Sequence, residues 1–424
     1  MNFFQKVYYS FSRYTDPTER QVGIFFRRVN ERDAPHKLET SLIKLLQQGI
    51  AVINLWTEHR YKGYEYLTKR TRRELYQNLA AIQQDFVQFE REQKIDTRVL
   101  FDRIARKGVD TAMLRTRKEQ LAYIAAIMQY LSPKRGRYIY RASSSFGRLL
   151  RDPSKEVLEG DCNQIVTLYI ALFATRYDVT DLKLTLYPGH VALHFHGVDI
   201  ETTSGTFAKY QKEGQYTAPV HEIVSVNLLD TTDTNFTKGS VSPEVFLEAA
   251  RLAYVVSSHR QLVKKNLEIA YHNAVNHCMR SQQYTQALTY ARQSKSYELI
   301  EAAARGGAVH AMKQHDFSGA RKFANYVQQK HELLRTIDHN EAVHLYNTEQ
   351  YSSAVKLFQR IGQRDMAKRC YRALYVQEQG KLGGVRTVAD IKAHAGIIRT
   401  MERYAKQAGD ADLLKHVQSL VKHL

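Results

Sequence analysis

The chain has 424 residues, of which 43% are hydrophobic and 25% are charged, and its formal net charge is +19 at pH 7. These proportions are ordinary for a globular protein, and the length allows roughly two to four domains. The most apolar run near the N-terminus, residues 50–56, is far shorter than the roughly 18 residues of a membrane-spanning helix. The N-terminus also lacks the uninterrupted apolar segment of a secretory signal. We therefore expect neither a signal peptide nor a membrane span.

The three cysteines, Cys162, Cys278 and Cys370, lie far apart, and an odd number of cysteines cannot all pair. The pattern is not that of a disulfide framework, which favours a reducing compartment and a cytoplasmic location. The sequence contains no CxxC pair of the kind that forms a zinc ribbon. We expect no cofactor. We interpret Cys278 and Cys370 as small hydrophobic residues of a helical core.

The charge is unevenly distributed. Lys and Arg outnumber Asp and Glu by 28 to 15 in residues 1–150 and by 27 to 16 in residues 241–424, whereas the acids lead by 12 to 7 in residues 151–240. Such basic flanks attract anionic partners, for example nucleic acid, acidic proteins or lipid headgroups. Because the charges are dispersed rather than packed into blocks, a solvated basic surface without a dedicated anionic partner is the simpler explanation.

Residues 1–135 have the periodicity of helices. Apolar side chains recur at helical spacing in residues 41–46, 75–82 and 114–131. A Ser-Pro pair then ends the last of these helices, because proline disfavours a helical conformation in the residue before it. We therefore expect residues 1–135 to form a helical N-terminal region.

Residues 136–240 have a different pattern. A helix is predicted from Cys162 to Arg176, where a long apolar run begins. Period-two alternation of apolar residues predicts four strands, over residues 182–187, 190–196, 198–202 and 222–228. A helix followed by an antiparallel meander indicates the α+β fold class.

Residues 241–424 return to helical periodicity and contain an internal repeat. An aromatic residue followed three positions later by alanine occurs at Tyr284, Phe317 and Tyr351, at steps of 33 and 34 residues. Small and apolar residues at fixed offsets around each aromatic let two helices pack closely. The pattern resembles tetratricopeptide repeats from about residue 265 to 375, without their usual glycine and proline. An irregular helical bundle is the alternative. The resemblance implies a surface for a protein partner.

Cys162 stands at the predicted start of a helix, after Glu159, Gly160 and Asp161. Unpaired amides and the positive end of the helix dipole favour a thiolate there, and the thiolate is the nucleophilic form of cysteine. Gly160 permits a sharp turn into the helix. Glu159 and Asp161 oppose thiolate formation, so an imidazolium partner would matter. A lone cysteine in this position is more often a core residue.

His190 follows a Pro-Gly pair at the predicted start of a strand. A general base needs a rigid position within hydrogen-bond reach of the sulfur, and it needs an acceptor that holds its tautomer. Asp199 and Glu201 lie on one face of the next predicted strand, and either could orient His190. A zinc site is the competing interpretation, because His194 and His196 share the strand face of His190 by parity.

Three short segments together resemble the motifs of the transglutaminase-like superfamily of papain-like enzymes. They are Gly160-Asp161-Cys162, Pro188-Gly189-His190 and the acid in Glu201-Thr202-Thr203. The resemblance covers about residues 140–210 and implies a papain-like core with Cys162 as nucleophile, His190 as base and an acid as third member. The family acid is usually Asp in an Asp-Pro-Thr context. Glu201 fits that frame better than Asp199.

The resemblance implies acyl transfer through a thioester, as in a peptidase, amidase or transglutaminase acting on a protein or peptide substrate. The resemblance does not indicate which molecule accepts the acyl group from the thioester. The second hypothesis is a non-catalytic adaptor, in which a degenerate core stiffens a helical scaffold that binds protein. A third and weaker hypothesis has the basic flanks binding nucleic acid, although no recognised motif supports it.

Overall fold

The computed structural model describes residues 8–142, 144–211, 213–230 and 241–424. The fold is mixed, with many helices, one small antiparallel sheet and a helical C-terminal region, so the predicted α+β class is confirmed. The chain forms two compact units, residues 1–270 and residues 271–424. The regions predicted as 1–135 and 136–240 therefore lie in one unit.

From Pro17 onward, the described part of the first unit includes eleven α-helices, and the last of them, α11, continues beyond residue 270. They are α1 (Pro17–Arg28), α2 (Pro35–Tyr61), α3 (Lys69–Glu92), α4 (Thr97–Ala105), α5 (Ala112–Arg115), α6 (Lys118–Tyr130), α7 (Phe146–Leu149), α8 (Cys162–Phe173), α9 (Glu222–Leu229), α10 (Pro243–Val256) and the continuing α11 (Arg260–Arg280). Its strands are β1 (Tyr138–Tyr140), β2 (Leu158–Gly160), β3 (Lys183–Tyr187), β4 (His190–Phe195), β5 (Val198–Glu201), β6 (Thr206–Ala208) and β7 (Tyr216–Pro219).

The helices predicted in the N-terminal region are present. The periodic residues 41–46 lie in α2 and residues 75–82 lie in α3. The segment 114–131 is divided between α5 and α6, and α6 ends just before the predicted Ser-Pro stop. Pro133 begins a short 3-10 turn, Pro133–Arg135, instead of continuing the helix.

Helix α8 lies at the centre of the first unit. Every residue from Gln164 to Phe173 is buried, and the helix packs on α2, α6, α7 and α9 as well as on β2 and β4. A helix that is apolar on all sides is stable only when other elements enclose it. The surrounding elements therefore hold the N-terminus of α8, where Cys162 lies, in one place.

Five strands form a sheet of order β6-β5-β4-β3-β7 that is antiparallel throughout, and β1 and β2 form a separate parallel pair. The predicted meander of β3, β4 and β5 is confirmed, and β6 and β7 add one strand at each edge. His196 lies outside β4, in a turn with a left-handed backbone (φ 43°), so the expected alignment of His196 with His190 and His194 on one strand face is wrong. The turn to β5 begins there and breaks the alternation.

The segment 222–228, predicted as a strand, is the helix α9. Most of its side chains are buried, because α9 packs against α10, α2 and α8. The alternation of valine and isoleucine with polar residues indicated a strand. Enclosure by helices decided the outcome, since strand propensity depends strongly on tertiary surroundings.

A buried ion pair ties the N-terminal helices together. Arg72 Nε donates to Glu19 Oε1 over 2.8 Å, and both side chains are at most 2% exposed. Arg72 also donates to the carbonyl oxygens of Leu67 and Arg13. The guanidinium lies 5.8 Å from the ring of Trp56, which is the only tryptophan of the chain.

The second unit contains the end of α11 and nine further helices in a row. They are α12 (Tyr284–Ser294), α13 (Tyr297–Lys313), α14 (Phe317–Ala324), α15 (Lys330–Asn347), α16 (Tyr351–Arg360), α17 (Arg364–Gly380), α18 (Val388–Ala393), α19 (Ala395–Ala408) and α20 (Ala411–Val421). From α12 to α17 each helix packs on its neighbour in sequence. This is the contact pattern expected when helical pairs are stacked.

The repeat positions found in the sequence have a common place in this unit. Tyr284, Phe317 and Tyr351 are the first residues of α12, α14 and α16. The small residues three positions later are fully buried at Ala287, Ala320 and Ala354. The spacing therefore reflects helix starts and close helix contacts and did not arise by chance.

A second repeat is visible only in the backbone. Gln282, His315 and Glu349 adopt left-handed conformations with φ of 59°, 58° and 62°. The amide that follows each of them donates to a carbonyl five residues earlier, over 2.8 to 2.9 Å. This is the turn that commonly ends a helix, and glycine is the usual residue at its left-handed position. Each of these three positions therefore keeps the turn although none of them is glycine.

No helix in the described ranges is long and apolar enough to cross a membrane.

Replacing Arg72 tests the buried ion pair. We expect Arg72→Ala to lower the free energy of unfolding by about 3–5 kcal/mol, because Glu19 would remain as an uncompensated buried charge. Urea unfolding followed by Trp56 fluorescence measures this in the full chain. Arg70→Ala is the control, since Arg70 pairs with Glu74 at an exposed site, and such pairs contribute about 0–1 kcal/mol. Equal effects of the two substitutions would refute this account.

Replacing Glu349 tests the left-handed turns. We expect Glu349→Gly to stabilise the second unit by about 0.5–1 kcal/mol, because glycine adopts positive φ without steric strain. Hydrogen exchange of the amides in α15 and α16 measures the change. Ser352→Gly, inside α16 and exposed, is the control and should destabilise by about 0.5–1 kcal/mol. Faster exchange in the Glu349 variant would contradict the prediction.

Candidate active site

Cys162 is the first residue of α8, as the sequence predicts. Asp161 caps the helix, because its carboxylate accepts a hydrogen bond from the amide of Gln164 over 3.1 Å. The thiol is partly exposed, whereas Cys278 and Cys370 are buried. Its Sγ lies 3.7 Å from Oδ1 of Asn163. Of the three cysteines, Cys162 is therefore the one that both lies at a helix start and reaches solvent.

Gly160 is needed for close packing and not for a special backbone angle. A Cβ at this position would lie 2.5 Å from Cδ1 of Leu149, so a larger residue would push α7 away. Gly160 does not have positive φ. The sharp turn expected from the sequence is thus the wrong explanation. The glycine lets the β2 strand, which leads into Cys162, pass directly over the α7 segment.

His190 is positioned by a two-residue hairpin turn between β3 and β4. Tyr187 and His190 are paired across the end of this hairpin, and Pro188 and Gly189 form the turn. Gly189 has φ of 75°, a conformation that glycine adopts without strain. Because the turn is tight and the strands are paired up to its base, the backbone at His190 is rigid.

His190 contacts both a carboxylate and the candidate nucleophile. Its Nε2 lies 2.8 Å from Oε2 of Glu201, and the neighbouring Cys162 side chain is the largest cause of the raised pKa of the ring. Since Nε2 faces the carboxylate, Nδ1 is the ring nitrogen available to the sulfur. The structure thus brings Cys162, His190 and Glu201 together in the order that a thiol, a base and an orienting acid require.

Asp199 is not part of the group formed by Cys162, His190 and Glu201. It is paired across the strands with His194, and its Oδ1 lies 2.9 Å from Nδ1 of that ring. Asp199 also accepts from Thr185 Oγ1 at 2.5 Å and from the amide of Tyr210 at 2.7 Å. Of the two acids that the sequence left open, Glu201 is therefore the one that contacts His190, because Asp199 lies two residues away along β5.

Hydrogen bonds keep Glu201 ionised. Burial opposes its charge, but bonds from His190, Thr203 and Tyr210 outweigh burial and lower the pKa of Glu201 to about 2. Thr203 donates from both its amide and its hydroxyl, and the Tyr210 hydroxyl donates to the same carboxylate oxygen that faces His190. The carboxylate is thus a fixed negative charge at neutral pH.

The same interactions favour the imidazolium form of His190. The hydrogen bond with Cys162, followed by that with Glu201, raises the pKa of His190 to about 9 against the opposing effect of burial. At neutral pH the ring is therefore protonated and lies between a carboxylate and a sulfur atom. An imidazolium in this position stabilises a thiolate, as the sequence analysis requires of a partner for Cys162.

Neither acid near Cys162 opposes the thiolate as strongly as the sequence implied. Glu159 forms ion pairs with Arg141 at 2.9 Å and with Arg148 at 3.0 Å. Burial, followed by the charge of Asp230, raises the pKa of Asp161 to about 7. The arginines neutralise the charge of Glu159, and partial protonation reduces the charge of Asp161. The electrostatic field at Cys162 is therefore less negative than the number of acids suggests.

Aromatic residues that the sequence did not single out surround the His190 and Glu201 pair. The ring centroid of Tyr187 lies 4.9 Å from that of His190 and 5.4 Å from that of Tyr210. Tyr140, on β1, is half exposed, and its pKa is raised by burial and by the charges of Cys162, Asp161 and Glu201. Tyr187 ends a predicted strand and Tyr140 and Tyr210 lie outside every predicted strand, so no local pattern singled these residues out.

A buried polar layer lies behind the N-terminus of α8. The side chain of Gln164 accepts from Asn54 over 2.9 Å and donates to Asp230 over 3.4 Å. Asp230 also pairs with Lys62, which is 1% exposed. These contacts hold the Gln164 amide inside the protein. The Gln164 amide is therefore engaged by Asn54 and Asp230 and is not assigned as an oxyanion donor.

The zinc interpretation finds no support in the geometry. His190 and His194 each bond a different carboxylate, and His196 has left the strand. Within the described ranges, no group of three or more His, Cys, Asp or Glu side chains is arranged to hold a metal ion.

No protein-family model matches the chain, and no curated protein and no solved structure matches it either.

The pairs His190–Glu201 and His194–Asp199 provide a matched test of whether Glu201 is the acid that orients His190. We expect Glu201→Gln to move the titration midpoint of His190 from about 9 towards 6.5, because the ring loses a charged acceptor. The His190 ring protons report this by NMR. Asp199→Asn is the control and should leave His190 unchanged, since Asp199 contacts His194. The assignment would be wrong if Asp199→Asn moved His190 and Glu201→Gln did not.

The pH dependence of folding stability follows from the raised pKa of His190. A histidine whose pKa is raised on folding contributes stability that is fully present below its unfolded value of 6.5 and is lost as the pH rises through about 9. We therefore expect the free energy of unfolding of the Glu201→Gln variant to fall less than that of wild type between pH 6.5 and pH 9. Urea unfolding at pH 6 and at pH 9 measures the difference between wild type and variant.

Proposed function

We propose that this protein is a cysteine-dependent acyl-transfer enzyme or hydrolase that acts on amide bonds of a protein or peptide. The observation that carries the proposal is the hydrogen bond between His190 and Glu201, together with Cys162 as the neighbour that most raises the pKa of the His190 ring. It supplies a nucleophile at a helix start, a protonated base beside it and a fixed carboxylate that holds the base.

The proposed reaction has two stages. The Cys162 thiolate attacks the carbonyl carbon of an amide, and the tetrahedral oxyanion then collapses and breaks the C–N bond. The proton of the His190 imidazolium passes to the leaving nitrogen, so ammonia or an amine departs and a thioester remains. Water or an acceptor amine next attacks the thioester, His190 takes its proton, and the thiolate is released as leaving group.

The local architecture supports assignment of the core to the transglutaminase-like kind. The cysteine opens a helix, the histidine opens the second strand of an antiparallel hairpin, and Glu201 ends the following strand. This is the order that the resemblance implies for residues 136–240. Glutamate in place of the usual aspartate makes the same hydrogen bond to the base.

The helices of the second unit support a protein substrate or partner. Pairs of helices that pack in sequence order and share buried small residues are characteristic of repeat proteins, whose surfaces commonly bind peptides or helices. We propose that these tetratricopeptide-like helices recruit the protein on which the cysteine acts.

The reactivity of Cys162 is the first test of the proposal. We expect Cys162 to be alkylated by iodoacetamide at pH 6 at least tenfold faster than Cys370, about tenfold or more being typical of an activated thiolate. Burial raises the pKa of Cys370 to about 11, so it is an internal slow reference. Peptide mass spectrometry separates the sites. His190→Ala should lower the rate at Cys162 about tenfold, and an unchanged rate at Cys162 in that variant would refute an activated nucleophile.

Turnover is the second test. We expect release of ammonia or an amine from a panel of glutamine-containing and peptide-amide substrates, and incorporation of a labelled primary amine if an amine is the acceptor. Cys162→Ala should reduce the rate by a factor of about 10³ or more while leaving the folding transition unchanged. Identical protein partners for wild type and Cys162→Ala, with no turnover on the panel, would favour the adaptor hypothesis.

A further inference from the structure

A cavity of about 860 Å³ is lined in part by residues that follow Glu201 along the chain. Thr203, which holds Glu201, belongs to the turn between β5 and β6, and the next residues of that turn, Ser204 to Thr206, line the cavity. Helices α3, α4 and α6 and the turn Pro133–Arg135 supply the other walls. The whole cleft lies within the first unit.

The cleft has an apolar interior. Leu100, Ala125, Met128 and Phe207 are buried, and Phe89 is partly buried. Gly205 lets the turn pack against this interior, because it has φ of 64° and a Cβ there would lie only 3.1 Å from the carbonyl oxygen of Met128. The interior therefore offers two aromatic rings and a methionine to an apolar or flat molecule.

Five exposed cations surround this interior. They come from two separate stretches of chain and are Arg103, Arg106, Lys107, Lys134 and Arg135. None of the five forms an ion pair or a side-chain hydrogen bond with another residue in the described part of the chain. No aspartate or glutamate lines the cleft. This concentration of like charge favours a bound anion.

One of the five cations is held in place by the cleft itself. The guanidinium of Arg135 lies 4.4 Å from the ring centroid of Phe89. Stacking occupies the flat face of the group and leaves its N–H donors directed along the plane, where they match phosphate or carboxylate oxygens. Arginine is therefore placed as a ligand-binding donor and not merely as a solvated surface charge.

We propose that this cleft binds a small phosphorylated molecule that carries an aromatic ring, of the nucleotide class. The phosphate would be bound by the five cations and the ring by the apolar interior. The volume lies within the range of about 300–1,000 Å³ that is usual for small-molecule sites. An acidic peptide would not need the apolar interior, and a long nucleic acid would need a basic track across the surface, whereas these cations surround one concavity.

The proposal is independent of catalysis by Cys162, and its test measures binding directly. Calorimetric titration of the full chain with ADP, AMP, adenosine and inorganic pyrophosphate separates the contributions of phosphate and ring. We expect ADP to bind more tightly than AMP, adenosine to bind too weakly to detect, and pyrophosphate to bind more weakly than ADP. Binding of ADP should weaken as salt is raised, because the contact is largely ionic.

A pair of matched variants locates the site. Arg103→Glu combined with Arg135→Glu reverses two cations of the cleft, and we expect ADP affinity to fall about tenfold for each. Arg98→Glu combined with Lys118→Glu makes the same charge change at exposed positions of α4 and α6 that do not line the cleft, and should change affinity less than about threefold. Trp56 fluorescence and circular dichroism verify that both variants are folded.

Hydrogen exchange of the wild-type chain gives a readout that needs no variant. Saturating ADP should protect amides around residues 89–107, 125–135 and 204–207. The proposal would be overturned if no phosphate compound bound at millimolar concentration, if protection appeared elsewhere, or if both double variants lost binding equally. Tighter binding of a polyglutamate peptide or a single-stranded oligonucleotide than of ADP, at the same ionic strength, would also overturn it.

Discussion

The enclosure of helix α8 is the constraint on which the rest of the first unit depends. Its side chains are apolar on nearly every side, so helices and strands must cover it completely. Only the start of the helix is less enclosed, where Asp161 caps it and Cys162 reaches solvent. Burial of the whole helix therefore determines where the only partly exposed thiol of the chain emerges, namely beside the strand that begins with His190.

The charges at the site depend on one another. Glu201 stays ionised because three donors bind it, and its charge, together with the sulfur of Cys162, keeps the His190 ring protonated. The neighbouring acids are compensated separately, Glu159 by arginines and Asp161 by burial. A second histidine-acid pair, His194 with Asp199, lies on the same sheet face and is bound to Thr185. Proximity to an acid alone does not define the site, since only His190 also contacts a nucleophile.

The second unit shows that left-handed turns can recur at helix ends without glycine. Left-handed turns at Gln282, His315 and Glu349 recur at the same place in successive units although none is glycine. The hydrogen bonds of the turn and the close contacts of buried alanines compensate for the strain at each position. Packing geometry is therefore better preserved along this region than residue identity.

The sequence by itself determined the elements whose signal is local. Periodicity located the N-terminal helices, the β3–β5 meander and the repeat positions, and the helix start at Cys162 and the Pro-Gly turn before His190 were visible in the residues. Glu201 was preferred to Asp199 only by resemblance to a motif, because both acids share one strand face. Their separation along β5 and the pairing of β4 with β5 decided which of them meets His190.

The tertiary structure decided everything that depends on residues distant in sequence. The segment 222–228 is helical because helices enclose it, and His196 leaves the strand because the turn to β5 begins there. Tyr210 reaches Glu201, and arginines from two separate stretches reach Glu159, through contacts that no local pattern encodes. The basic cleft likewise combines three stretches of chain, of which two supply its five cations. Local preferences act over a few residues, whereas these arrangements follow from how the whole chain packs.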